Sequence, residues 1–271
     1  MVADEDVNAN GLLAALPKAT LAQWLPLLEL VDLPVGFVLY ESGVAPGYVY
    51  FPTTAIVSLM VILEDGASSE VAVVGPEGIV GVSVFMGGSS MPQRAFVQSA
   101  GKAYRLSAQV MLDECHRGGP VLQLFLRYTL ALAAQMTQLS VCNRHHLIDQ
   151  QLSRLLLLRL DRVEDTTLHL TQESIANLLG VRRGGVTTAA VRLQTAGVIR
   201  YARGRLSVVD RHALEARCCE CYDVVRREYD RLLPARDDAP RWRQSLDSSS
   251  IVHLTETSGD EARTPRIAAK A

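Results

Sequence analysis

Residues 170–210, LTQESIANLLGVRRGGVTTAAVRLQTAGVIRYARGRLSVVD, constrain the fold more than any other stretch of the chain. Counted from Gln172, Ala176 falls at the fifth position, Gly180 at the ninth and Val186 at the fifteenth, with Ile175, Leu179 and Val181 apolar around them. A small residue lets two helices cross closely, Gly accepts the positive φ of a tight turn, and an apolar Val pins the second helix to the first. The spacing predicts a helix-turn-helix; the alternative is an ordinary helical hairpin. Thr171 is placed to cap the first helix, Glu173 sits in its first turn where the dipole favours a carboxylate, and Gly180 ends it. The second helix is expected over residues 183–195. Residues 198–201 and 206–209 read as two strands around Arg203-Gly204-Arg205, a hairpin that makes the motif winged.

Charge is distributed in the same sense. Residues 144–217 hold 12 basic side chains, all Arg, against 7 acidic ones, whereas residues 1–143 hold 6 against 12. The planar fork of Arg suits phosphate and guanine edges. Double-stranded DNA is therefore the expected partner, with a merely solvated basic face as the alternative. The candidate contacts are Thr171 and Gln172 at the first helix, Arg182, Arg183, Thr187, Thr188 and Arg192 on the second, and Arg203 and Arg205 on the wing. Arg183 is the expected specificity residue, able to donate two bonds to a guanine edge, and the wing arginines are expected on phosphate.

Upstream the texture is different. Residues 12–30 read as short helices broken by Pro17 and Pro26. From Val31 to Leu106 come short β-branched runs at 8 to 12 residue spacing, with turns at Glu64-Asp65-Gly66 and Gly75-Pro76-Glu77-Gly78, which favours a sandwich or jelly roll. Leu122, Phe125, Thr129, Leu132, Met136 and Leu139 then form a heptad stripe, expected to pair with the same helix of a second subunit while Leu126 and Leu130 serve the roll; the alternative is that the stripe packs on its own roll. The LLLLRL run within residues 148–163 belongs to a buried helix. The expected organisation is a roll with short N-terminal helices (1–117), a dimerisation helix (118–143), a winged helix-turn-helix (144–217), a C-terminal helix (218–233) and a disordered tail (234–271).

A roll, a dimer helix and a winged helix-turn-helix in this order resemble the Crp/Fnr family of bacterial transcription regulators. The resemblance covers residues 12–215 and is carried by VVGPEGIVGVSVFMGG and QRAFVQSAGKAYRLSA in the roll, by the stripe, and by LTQESIANLLGVRRGGV. It implies an α+β chain with a cyclic-nucleotide-binding-like β-roll, acting as a homodimer on an inverted-repeat operator, with RNA polymerase and a small-molecule effector as further candidate partners. Members that bind cyclic AMP place a Gly-Glu pair on the ribose and an Arg-Ser or Arg-Thr pair on the phosphate. Here the first pair is Gly81-Val82, and alignment on Ala95-Phe96-Val97 puts Gln93-Arg94 at the second. Gly81, Val82 and Arg94 are thus the candidate effector-pocket residues, and the missing Glu and displaced Arg argue against cyclic AMP. The family's iron-sulfur sensors use N-terminal cysteines; the first here is Cys115. The Glu that often follows the leading Arg of the recognition helix is replaced by Gly184-Gly185, so a different operator is expected.

The remaining signals are weaker. Cys218-Cys219-Glu220-Cys221 is the most metal-like cluster, but zinc needs about four ligands and no second pair follows at standard spacing, so no metal site is expected. His145-His146 fall where the long helix meets the DNA-reading segment, adjacent and therefore divergent on a helix. A cupin-like metalloenzyme is the rival from another class; residues 1–115 contain no His to ligate its metal. No catalytic residues are expected. A sensor or adaptor that does not bind DNA is the other alternative. An acidic start without a basic and apolar lead, no apolar window of about 18 residues and an odd, sparse cysteine count point to a cytoplasmic, reduced protein away from membranes.

Overall fold

The computed structural model describes residues 7–163 and 167–234; the expected disordered tail lies, beyond Pro234, outside the described residues. Two short helices, Gly11–Ala14 and Lys18–Trp24, precede the strands, and Pro26 sits in a single 3-10 turn, Leu25–Leu27. Asn10 pins this N-terminal segment to the roll. Its Oδ1 accepts from the backbone N–H of Leu12 and Leu13, and its Nδ2 donates to the carbonyls of Pro52 and Gly78 at 2.9 Å each.

Strands β1 (Glu29–Leu33), β2 (Val38–Tyr40), β3 (Tyr48–Pro52), β4 (Ile56–Ile62), β5 (Ser68–Val74), β6 (Arg94–Ser99) and β7 (Gly101–Ser107) form two antiparallel sheets, ordered β1-β7-β3 and β2-β6-β4-β5. The β4–β5 turn falls at Asp65-Gly66, where Asp65 accepts from the N–H of Ala67 and Gly66 takes a positive φ. The roll is closed by aromatic packing: Trp24 stacks on Phe125 of the long helix at 6.3 Å, and Phe51 and Phe85 pack on the same ring.

Beyond the roll a helix over Ala108–Arg117 leads, through Gly118 and Gly119, into the long helix, Pro120–His145. Here the structure corrects the expected seam. Phe125, Leu132 and Leu139 are fully buried in the chain's own core, so they are not available to a second copy, and Leu122, Thr129 and Met136 are half-buried. Leu126 and Leu130, expected to serve the roll, are instead 44% and 53% exposed. Heptad spacing defines a stripe but not which partner it meets, and the roll's aromatic cluster claims this one.

The next helix, Ile148–Leu160, is buried on every side, with Arg154 and Arg159 inside. β8 (Thr167–His169), two helices Gln172–Leu179 and Arg183–Thr195, then β9 (Ile199–Ala202) and β10 (Arg205–Val208) complete a second unit, whose sheet runs β8-β10-β9. A short helix, Arg211–Glu215, and a closing helix, Cys221–Leu232, come last. The closing helix returns to the long helix. Buried Gln135 joins three elements there, exchanging bonds with both the N–H and the carbonyl of Val73 in β5 and donating to the Tyr229 hydroxyl at 2.7 Å.

The two units are also tied by charge. Arg159, fully buried, donates to Glu70 of β5 at 2.6 Å, to the side-chain oxygen of Gln98 at 3.2 Å and to the Leu155 carbonyl. Ser58 donates to the same Glu70 oxygen at 2.5 Å. Arg162 pairs with Glu77 at 2.8 Å. A buried ion pair survives only when such additional bonds satisfy both partners.

Candidate nucleic-acid interface

The helix-turn-helix forms as its sequence dictates. Thr171 Oγ1 accepts from the Ser174 N–H at 3.0 Å and caps the first helix. Gly180 ends it in the left-handed region at φ 66°, a conformation that most side chains resist. A side chain there would also press on the roll, since a Cβ would lie 3.2 Å from that of Ser69. Ile175, Ala176, Leu179, Val186 and Ala190 form the buried contact between the two helices. Thr187 Oγ1 donates to the Gln172 side-chain oxygen at 2.7 Å, so these two predicted DNA contacts are brought together and hold one helix against the other.

The second helix presents its N-terminal end to solvent. Arg182, its N-cap residue, with Arg183, Gly184 and Thr188, is exposed. Arg192, toward the other end of the same helix, is exposed too, yet is engaged by Asp149 at 3.1 Å. The wing is a two-residue hairpin in which Ala202 pairs with Arg205, and Arg203 and Gly204 both have positive φ, 51° and 74°. That is the turn geometry whose twist matches paired strands. Tyr201 donates from its hydroxyl to the Leu170 carbonyl at 2.9 Å and fixes the wing to the start of the first helix. Burial raises the Tyr201 phenol above its ordinary pKa, and the Arg183 charge opposes the shift.

The 12 arginines of residues 144–217 therefore divide. Arg154, Arg159 and Arg162 are turned inward, and Arg192 and Arg211 are held by Asp149 and Asp161. Among the described residues the other seven make no ion pair: Arg182, Arg183, Arg200, Arg203 and Arg205 lie on the recognition helix and wing, and Arg144 and Arg217 are exposed at the two ends of the segment. Arg200, exposed on β9, is a member of this set that the motif alone does not mark, although its alternation with Tyr201 places it on the outer face.

In the roll, Gly81 takes φ 106° and leads into a 3-10 turn, Val82–Val84, whose side chains are buried. Gln93 is buried, and Arg94 is paired with Glu41 at 3.3 Å at the rim. The structure does not bring Arg94 and Val82 together through any bond among the described residues. It does bring together the cysteines that lacked a second pair: Cys219 and Cys221 meet Cys142 and His146 at the end of the long helix. Hydrogen bonds from Cys142 and Cys218 hold the Cys219 thiol far below the ordinary range, and the bond to Cys219 pushes Cys142 up.

Two family descriptions match the chain. A Crp-like helix-turn-helix domain matches residues 150–217 and a cyclic nucleotide-binding domain matches residues 30–117. Together they span more than half of the sequence. No curated protein matches the chain. Among solved structures, the chain is similar to a putative Crp/Fnr-family transcriptional regulator of Eubacterium rectale, with 15% identity and a TM-score of 0.61 over 77% of this chain and 98% of that one. It is similar to FixK2 of Bradyrhizobium japonicum, with 16% identity and a TM-score of 0.60 over 71% and 98%. A Crp/Fnr-family regulator of Thermus thermophilus, TTHA1359, gives 19% identity and a TM-score of 0.57 over 72% and 98%. Among the described residues no helix is long and apolar enough to cross a membrane. By both of its domains and their order, the chain belongs to the Crp/Fnr family of DNA-binding transcription regulators.

Proposed function

We propose that the chain works as a homodimer that reads an inverted-repeat operator, each copy placing the N-terminal end of the helix Arg183–Thr195 in the major groove. The observation that carries this reading is the set of exposed arginines, without an ion pair among the described residues, gathered at one end of the recognition helix and along the wing. Arg183 reads a guanine edge, Thr188 meets a base methyl or a phosphate, and Arg200, Arg203 and Arg205 neutralise phosphate. Thr171, Gln172 and Thr187 serve the frame that aims these groups.

For the dimer, the exposed stripe Leu126, Leu130, Ala133 and Thr137 on the long helix takes the place of the expected seam, its spacing of four, three and four residues being that of a helix pair. The two recognition helices then lie about 34 Å apart, on successive major grooves. The roll is the sensor. Val82 stands where cyclic-AMP-binding members place Glu, and Arg94 is occupied by Glu41, which supports a small-molecule effector other than cyclic AMP. RNA polymerase is the partner met at the promoter, in the cytoplasm.

Selection of sites from a random duplex pool by the purified chain, at two salt concentrations and without added ligand, tests the reading. An enriched inverted repeat, lost steeply as salt rises, is the expected result. A monomer by sedimentation in the presence of the selected DNA would overturn the dimer.

A further inference from the structure

The end of the long helix and the segment after the wing meet in a cluster with the composition of a metal site. Cys142 lies in the last turn of the long helix and His146 is the residue that caps it, its N–H donating to the Cys142 carbonyl at 3.0 Å. Cys219 and Cys221 arrive 77 residues after Cys142 and later, carried back by the closing helix. One ligand atom from each of the four residues lies within 4.8 Å of all the others. The sulfurs of Cys142 and Cys219 are 3.5 Å apart, and His146 Nδ1 is 3.4 Å from Cys142 Sγ and 3.3 Å from Cys221 Sγ. A tetrahedral zinc with Zn–S of about 2.3 Å and Zn–N of about 2.0–2.1 Å requires sulfur–sulfur edges of about 3.8 Å and sulfur–nitrogen edges of about 3.5 Å. The four atoms need only small side-chain rotations to meet that figure.

What surrounds the cluster completes it. Glu220, between the two cysteines, faces the other imidazole nitrogen, Nε2, at 3.4 Å, the carboxylate–histidine arrangement that fixes the tautomer of a ligating ring. Gln138 donates from Nε2 to Cys221 Sγ at 3.2 Å, as amides do to metal-bound sulfur. The three sulfurs are buried. Arg154, only 3% exposed, bonds through Nη2 to Asn143, the neighbour of Cys142, while its Nε and Nη1 are buried with no hydrogen-bond partner among the described residues. An uncompensated buried cation is strongly unfavourable, and three thiolates with one imidazole on a divalent cation carry the single negative charge that offsets it.

We propose that Cys142, His146, Cys219 and Cys221 bind one zinc ion in a closed, structural Cys3His site that staples the long helix to the segment following the DNA-reading unit. The three thiols release their protons to solvent as the metal binds. Four ligands leave no open position for substrate, so the site is structural rather than catalytic. A two-iron cluster would need its ligands divided into two separated pairs, whereas these four converge on one point. Cys218 and Cys115 are not ligands. Because the staple closes a loop that contains the whole helix-turn-helix, metal occupancy sets how firmly the recognition helix is held relative to the long helix.

The test is metal analysis of the full chain purified under reducing conditions without chelator, followed by replacement of the metal with cobalt(II). One zinc per chain and a tetrahedral cobalt-thiolate absorption spectrum are expected. Cys142→Ser and Cys219→Ser should abolish both, Cys218→Ser and Cys115→Ser should leave both intact, and Glu220→Gln should weaken metal binding roughly 10- to 100-fold. Absence of stoichiometric metal together with no cobalt spectrum in the wild-type chain would overturn the proposal, and so would a Cys142–Cys219 disulfide in the reduced preparation. The wild-type measurements decide the matter even where a variant fails to fold. They do not involve DNA, so they stand or fall apart from the operator reading.

Discussion

Two groups of arginines from one basic segment have opposite fates. Arg154, Arg159 and Arg162, on and just after the helix Ile148–Leu160, point into the molecule and join it to the roll and the long helix; Arg182, Arg183, Arg203 and Arg205 point out and remain unpaired among the described residues. Counted together they make a single positive block. The structure separates a set that holds the reader in place from a set that does the reading, and net charge alone carries no information about which is which.

Arg159 carries the largest expected effect of the inward group, through its buried pair with Glu70. Replacing it with Met leaves Glu70 buried beside Ser58 without its cation, and the expected loss is about 3–5 kcal/mol of folding stability. Denaturant unfolding measures this, and the double replacement Arg159→Met with Glu70→Leu should recover most of the loss. A single variant as stable as the wild type would mean that the pair does not join the units. Arg183→Ala should do the reverse, leaving unfolding unchanged while removing roughly 1–3 kcal/mol of operator affinity and relaxing preference at one base pair per half-site. An unaltered selected sequence would show that another residue reads the base.

Smaller effects sharpen the outward group. Arg203→Ala or Arg205→Ala should weaken binding to all sequences alike and reduce the salt slope by about one, as read from affinities over a salt series. Arg192→Ala is expected to do least. Its exposed pair with Asp149 contributes about 0–1 kcal/mol to stability, and since Asp149 already holds the guanidinium, operator affinity should fall less than for Arg183→Ala. A larger fall would move Arg192 into the reading set.

Legibility tracks the distance between the residues involved. Thr171, Gly180 and the Arg203-Gly204 turn are readable because caps and turns depend on neighbours a few residues away. The periodicity assigns Leu126 and Phe125 to the wrong partners because a heptad repeat states spacing along one helix and is silent on what each face meets. The LLLLRL run marks its helix as buried but says nothing of what Arg154 and Arg159 meet inside, because nothing local marks an arginine that will find Glu70 or Asn143 across the fold.

By itself the sequence determined the order of the units, the helix-turn-helix with its wing, and the strand texture of the roll, since each arises from local backbone preference and short-range periodicity. Only the tertiary structure decided which arginines face solvent, which stripe of the long helix stays exposed, and that Cys142 and His146 converge on Cys219 and Cys221. Those outcomes depend on contacts between residues far apart in the chain, and such contacts exist only once the core has packed.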